Sequence, residues 1–436
     1  MKKPVSILLL IVAFLLVGAG IIAVIFFSFL RTFPTNNPFD VRNISSTLEE
    51  SKTLKVDTGK PLTLKVAAAA GEVTITGADV DAVQVEVIKT AYDSSQARAD
   101  EEVKGIKYNI EQSGNTITLE YELPKSMNFS NNVNTVDFIV TVPIKTKVDV
   151  DTSLGDVSVE DIEGAVVVQN DFGAARLLNI TGTVSVSSNG GTVTGTSIKA
   201  ATGDIDLHSD FGSITLEKAS GGDITLDTNS GAINLNEVRA TRDLTASTQF
   251  GDVAFENGSA DSLSVETNSG SVSLVNLTVN KEIKVQDAFG NIKLNQAFAT
   301  SYDLHTNSGA ITVDGAEGKL IAHTDFGGIT VENAEAVTLD LKSSSGSVNF
   351  IGSLGDGPHT VISEFGQIEL TLPTDSKLDV DLKTDFGGIS SDLPITMVIN
   401  GSSNSNEEQM VGSINGGGAQ LTVQTNSGSV NIHTSK

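Results

Sequence analysis

The sequence predicts an all-β chain: a parallel β-solenoid (β-helix) of ~20-residue coils, preceded by one N-terminal transmembrane helix. Three observations carry this. A short phrase centred on a glycine recurs about every 20 residues, apolar and polar residues alternate on both sides of that glycine, and one uninterrupted apolar run opens the chain. Among the 436 residues, 28 Lys and Arg stand against 54 Asp and Glu, for a formal net charge of −26. Such a surface repels phosphate backbones, so nucleic acid is excluded as a partner. There are 41 glycines, no Trp and no Cys, which removes disulfides, thiol catalysis and zinc-thiolate sites.

Residues 1–31 form a cytoplasmic tip and the membrane helix. Val5 to Leu30 carries no charged side chain. At ~1.5 Å per residue the run reaches ~39 Å, more than a hydrocarbon core of ~30 Å, so it can cross with tilt. It continues apolar past the small residues Ala13, Gly18, Ala19 and Gly20, which favours an uncleaved anchor over a signal peptide. Lys2 and Lys3 precede it, and Arg31 and Arg42 follow with Asp40, Glu49 and Glu50 beside them. The bias is slight and places the N-terminus in the cytoplasm. The expected location is therefore the cell membrane, single-pass, with the β-domain outside the cytoplasm.

Residues 32–60, with Pro34, Pro38, Asn36 and Asn37, read as a polar stalk. Residues 61–150 hold strand-like runs such as PLTLKV, GEVTIT and VDFIVTVP. One short surface helix is expected at Asp93 to Lys104, capped by Asp93 or Ser94. Residues 151–436 are the repetitive solenoid, interrupted by a polar surface loop at Asn400 to Gln409.

The repeat is plainest from 170 onward: SDFGSITL, TNSGAINL, TQFGDVAF, TNSGSVSL, DAFGNIKL. Its glycines stand at 173 and 191, then at Gly212, Gly231, Gly251, Gly270, Gly290, Gly309, Gly327, Gly346 and Gly366, and at 387. Period-two alternation rich in Val, Ile, Leu and Thr means strands. Each unit reads as two short strands joined at a corner, and Asn-Ser-Gly or Asp-Phe-Gly supplies a bend in which left-handed backbone is tolerated. Coils of this kind cannot bury an apolar face alone, so they stack at ~4.8 Å into a rod of ~65 Å.

The residue before each glycine alternates between large and small. Phe172, Phe211, Phe250, Phe289, Phe326, Phe365 and Phe386 hold this position, and Gly190, Ser230, Ser269, Ser308 and Ser345 stand between the first six. With a ~20-residue coil each ring would fill the corner above a serine, and rings would recur every ~9.6 Å. With a ~39-residue coil, Phe corners would stack on one side and Ser corners on the other. Small side chains fill the smaller coil better. In both arrangements the rings are expected to be core staples.

The order PLTLKVAAAAGEVTITGADVDAVQVEV, a strand ending in Val142-Pro143, VDVDTSLGDVSVEDIEG and then repeated SGxIxL or FGxIxL units resembles the bacterial putative adhesin domain family (domain of unknown function 4097). The resemblance covers residues 54–434. It implies a β-solenoid attached to the cell envelope, with roles in adhesion or envelope-stress sensing, and it brings no catalytic or binding residue.

Chemistry is sparse. His208, His305 and His323 share the position four before a repeat glycine, outward by alternation. Two of them on consecutive coils are candidate metal ligands, though solvated strand positions explain them as well. Asp149 with Asp151, Asp204 with Asp206, and Asp379 with Asp381 each share a strand face. Such pairs suit acid/base work or Ca²⁺, or simply keep a long sheet soluble. No HExxH, GxSxG or phosphate-cradling motif occurs. No cofactor and no enzyme activity are expected. The leading reading is a membrane-anchored binding or adhesion module whose partners are envelope polymers or host or neighbouring-cell surface proteins. The alternative is an envelope-stress sensor that attracts cationic peptides and acts through a membrane partner.

Overall fold

The computed structural model describes residues 44–123, 132–398 and 408–435. The apolar run Val5 to Leu30 and most of the loop expected at Asn400 to Gln409 lie outside the described residues. Among the described residues no helix is long and apolar enough to cross a membrane.

The coil is a three-sided parallel turn of about 20 residues. Strand Ile205–Ser209 forms a first face, Ile214–Glu217 a second and Ser220–Gly221 a short third. The next coil repeats them as Ile224–Thr228, Ile233–Asn236 and Arg239–Ala240, in parallel register Ile205↔Ile224, Ile214↔Ile233 and Ser220↔Arg239. One coil is thus one phrase, and the 39-residue alternative falls. The third face was not anticipated, because two residues are too few to show alternation. Inside, aliphatic columns stack rung on rung: Ile224, Leu226, Ile233, Leu235 and Val238 are all buried in one coil. Each such side chain contributes roughly 1.5–3 kcal/mol before ordering costs.

Two corners of the coil have different backbone solutions. Nine non-glycine residues with φ between 51° and 58°, from Asp161 through Asn179, Lys218 and Asn257 to Asn333, each sit six residues after a corner glycine, where the second face ends. Left-handed backbone was expected instead at Asn-Ser-Gly and Asp-Phe-Gly. There, from Gly191 to Gly387, no repeat glycine has positive φ. What those glycines relieve is crowding. A Cβ on Gly251 would lie 2.0 Å from the Gly231 carbonyl oxygen, and the same contact, at 1.8–2.3 Å, links successive corners from Gly155 to Gly387.

At the N-terminal end the rungs leave sequence order. Leu62–Ala68 pairs parallel with Thr146–Leu154 and Val73–Ala78 with Val157–Glu163, so the chain between them folds outward as a cap. Thr135–Pro143 extends the second face, Ala82–Asp93 pairs with it antiparallel, and Ile44–Lys55 adds the last strand, antiparallel to Ala82–Asp93. Twelve residues of the expected 32–60 stalk, Ile44–Lys55, are therefore sheet. Its alternation was hidden because only Leu54 of Ile44–Lys55 is buried. The helix is Gln96–Gly105 with Ala99 and Val103 buried; its N-cap is Ser95, and Asp93 instead accepts from the Ser94 amide and hydroxyl.

The C-terminal end is intercalated. Ala419–Ser427 pairs parallel with His359–Phe365 on one side and with Leu378–Phe386 on the other. Val430–Ser435 likewise joins Ile368–Pro373 to Ile389–Ser391. Glu408–Ile414 closes the first face antiparallel to Leu378–Phe386.

Candidate binding surface

The corner between the first and second faces is built from four consecutive positions ending at the glycine. Three residues before most of these glycines, a buried Ser or Thr points inward and donates its hydroxyl to the carbonyl of the corner glycine one rung below, whereas the Thr152 and Ser188 hydroxyls are buried without a partner. Examples are Ser209 to Gly191 at 2.8 Å, Thr228 to Gly212 at 2.9 Å, Thr248 to Gly231 at 3.0 Å and Ser343 to Gly327 at 2.8 Å. Asn170 does the same for the Gly155 and Gly173 carbonyls with its amide. These bonds satisfy carbonyls that a buried bend would otherwise leave without a partner. Alternation puts Thr228 on the same side as Leu226 and Ile233 but does not show what its hydroxyl bonds. The signal was the fixed offset of these Ser and Thr residues from the glycine.

Asp287 breaks the ladder. It stacks between Thr267 and Thr306, is 7% exposed, accepts from the Phe289 amide at 3.1 Å and leaves its other oxygen without a partner. Burial pushes its carboxyl above the ordinary carboxylate range.

Two residues before the glycine, carboxylates and amides alternate from Asp171 through Asn189 and Asp210 to Asn229. Asn189 donates to Asp171 and Asn229 to Asp210, each at 2.8 Å across one rung. An amide between carboxylates avoids stacking like charges.

The residue before the glycine was expected in the core, and the structure corrects this. Phe172, Phe211, Phe250, Phe289, Phe326, Phe365 and Phe386 are between 59% and 73% exposed. Strand alternation ends where the chain bends, so the side chain that period two would turn inward points out. The inside of the corner already holds the hydroxyl ladder and the close glycine-to-carbonyl contacts, which leave no room for rings. The small residues between them have a steric cause as well: a Cβ on Gly190 would lie 3.0 Å from the Phe172 ring, so the ring leans over the next rung.

In chain order the alternation fails at the end, where Phe365 is followed by Phe386. In space it is preserved, because the intercalated strand sets Ser427 level with both. The result is one edge of seven rings spaced by Gly or Ser over thirteen rungs, twelve steps of ~4.8 Å or ~58 Å.

The Toastrack DUF4097 family model matches residues 61–319 and again residues 256–433. The chain belongs to this family. No curated protein matches the chain. Two solved structures resemble this Toastrack chain at low identity. One, a putative cell adhesion protein from Clostridium sporogenes, is 11% identical over 89% of this chain and 100% of that one, with a TM-score of 0.18. The other, a putative adhesin from Bacteroides fragilis, is 14% identical over 70% of this chain and 97% of that one, with a TM-score of 0.30.

Most of the remaining polar candidates of the Toastrack solenoid have partners of their own. His305 and His323 are level on adjacent rungs, ring centroids 4.9 Å apart and nearly perpendicular. His305 pairs through Nε2 with Asp303 at 2.7 Å, whereas His323 Nε2 lies 3.4 Å from Asp340 Oδ1 and neither of those two buried atoms makes a hydrogen bond. Burial holds His323 below the ordinary imidazole range. His208 lies between Asp227 at 2.9 Å and Asp210 at 3.4 Å. Among the described residues no group of three or more His, Asp or Glu is placed to hold a metal. Of the carboxylate pairs, Asp204 is bound with Asp223 by Arg242, Asp149 lies 3.9 Å from Lys65, and Asp379 and Asp381 accept from Ser413 and Gln409 at 2.8 Å. The structure spreads these pairs along the rod instead of gathering them.

Proposed function

We propose that the protein is a non-catalytic binding or adhesion module, anchored in the cell membrane through Val5 to Leu30 and displayed outside the cytoplasm. The observation that carries this is the edge of seven exposed phenylalanines on one side of a stacked β-rod. Soluble monomers rarely expose apolar patches above roughly 300–600 Å², and seven half-exposed rings amount to on the order of 900 Å². Repetition at fixed spacing suits multivalent contact, in which each weak ring contact raises the effective concentration of the next. The hydroxyl and glycine ladders beneath hold the corner backbone in place, so little ordering cost falls on binding.

The test uses cells producing the full chain or its Phe211→Ser, Phe250→Ser, Phe289→Ser, Phe326→Ser variant. Protease shaving of intact cells should cut both chains equally, while attachment to surfaces or neighbouring cells is lost in the variant only. Protection of the repeat region from protease contradicts the external display. Equal attachment contradicts the role of the edge.

A second reading has one observation in its favour. Asp171, Asp210, Asp325, Glu364 and Asp385 stand beside the rings, so the edge is both apolar and acidic. That pairing suits cationic amphipathic peptides and a sensor that acts through a membrane partner. Peptide binding that disappears above about 0.5 M salt is its test.

A further inference from the structure

We infer that the phenylalanine edge pairs with the same edge of a second copy of this chain, antiparallel, so that each ring seats over a Ser or Gly rung of its mate. The inference rests on the binding role proposed above and names its partner. Three features of the edge point to it.

The first is period. The rings recur every two rungs, ~9.6 Å. An extended peptide presents same-face side chains every ~6.7 Å, and an α-helix presents them every ~10.8 Å over two turns. Against the helix the mismatch of ~1.2 Å per ring grows to ~7 Å across the column, more than one rung. Another copy of the solenoid has the same repeat and stays in step.

The second is size. Large and small residues alternate along the whole edge, and the intercalated Ser427 maintains the alternation where chain order would break it. A shift of one rung therefore sets every ring of one edge opposite a small residue of the other.

The third is polarity. Rungs that carry Phe carry Asp171, Asp210, Asp325, Glu364 or Asp385 just before it, or the neutral Gln249 and Ala288. Rungs that carry Gly190 or Ser carry Asn189, Asn229, Asn268 or Asn307 at that place, with Ser344 and Asn426 completing the series. The same one-rung shift puts carboxylates opposite amides and keeps carboxylates apart, which is what two strongly acidic rods need in order to touch. The ring surface alone, on the order of 900 Å², matches the ~800 Å² per partner of a stable interface.

A closed two-fold pair that overlaps the whole column has its axis beside Phe289, the middle ring. Ser269 or Ser308 then lies within a rung of its own mate, whereas Ser345 lies several rungs from its own. The chain has no Cys, so single substitutions report this directly. The experiment takes the purified full chain in mild detergent as Ser269→Cys, Ser308→Cys or Ser345→Cys and treats it with a short bis-maleimide. The expected result is covalent dimer at 269 or 308, none at 345, and loss of the dimer when Phe250→Ser and Phe289→Ser are added, with each variant's far-UV circular-dichroism spectrum unchanged. Equal dimer at all three positions, no dimer at any, or dimer that survives the Phe substitutions overturns the pairing. Loss of cell attachment in the four-ring variant without any dimer would leave the binding role standing and reject only the second copy as partner.

Discussion

Ser427 stands one rung from Phe365 and one rung from Phe386, between two residues that are consecutive repeats in the chain. The strand that carries it fills a slot that the chain skips on its way from Pro373 to Leu378, and it follows the Glu408–Ile414 strand in the chain. A chain ending at Gly418 should therefore lose backbone pairing on both sides of the vacant rung. Hydrogen exchange is expected to show amides of 359–397 unprotected while 184–324 keep native protection, because stacked repeats fail locally.

Gly251→Ala should be among the most damaging single substitutions in the rod. Its Cβ would meet the Gly231 carbonyl at 2.0 Å, and backbone rather than a flexible side chain must yield. A loss of roughly 2–4 kcal/mol is expected, read as a lower denaturant midpoint, whereas Ser269→Ala on the next rung should stay within about 0.5 kcal/mol.

Much of this was legible in advance, and the reasons differ from place to place. The period read from Gly173 to Gly366 is the coil, because every coil must return to the same crowded corner. The rings of Phe172 to Phe386 were assigned to that corner correctly and to its wrong side, since period-two alternation stops informing at a bend. Left-handed residues such as Lys218 and Glu237 were invisible because their side chains carry no left-handed preference; only their offset of six from a glycine marks them. The Ser427 intercalation has no local signal at all, as it is a choice between two equivalent rungs.

Asp287 gives a pH-dependent prediction. Its folded carboxyl titrates above the unfolded value of about 3.9, so the folded state gains when it is protonated and loses as pH rises through the folded value. Asp287→Thr restores a hydroxyl where Thr267 and Thr306 have theirs. The variant should be more stable than wild type by about 1–3 kcal/mol at pH 7, with the advantage shrinking as pH falls toward 4, measured by paired urea unfolding curves.

His359 shows the opposite dependence. It is 1% exposed, takes the Leu339 amide on Nδ1 at 3.3 Å and donates Nε2–H to the Gly355 carbonyl at 3.1 Å, which fixes the neutral form. Burial lowers its folded value, so the stability it contributes is present above the unfolded value of about 6.5 and is lost as pH falls below it. His359→Leu, between Leu339 and Leu421 on the same column, should flatten the decline in melting temperature between pH 7 and pH 5.

The central claim is that the phenylalanine column lies outside the core and is available for binding. The melting temperature of Phe250→Asp, compared with wild type at a concentration where both are monomeric, tests it most directly. A ring pointing to solvent can be replaced by a charge at little cost, so the account predicts a change of less than about 2 °C. A fall of roughly 5–10 °C or more would mean that a charge had been forced into the corner interior, and would contradict it.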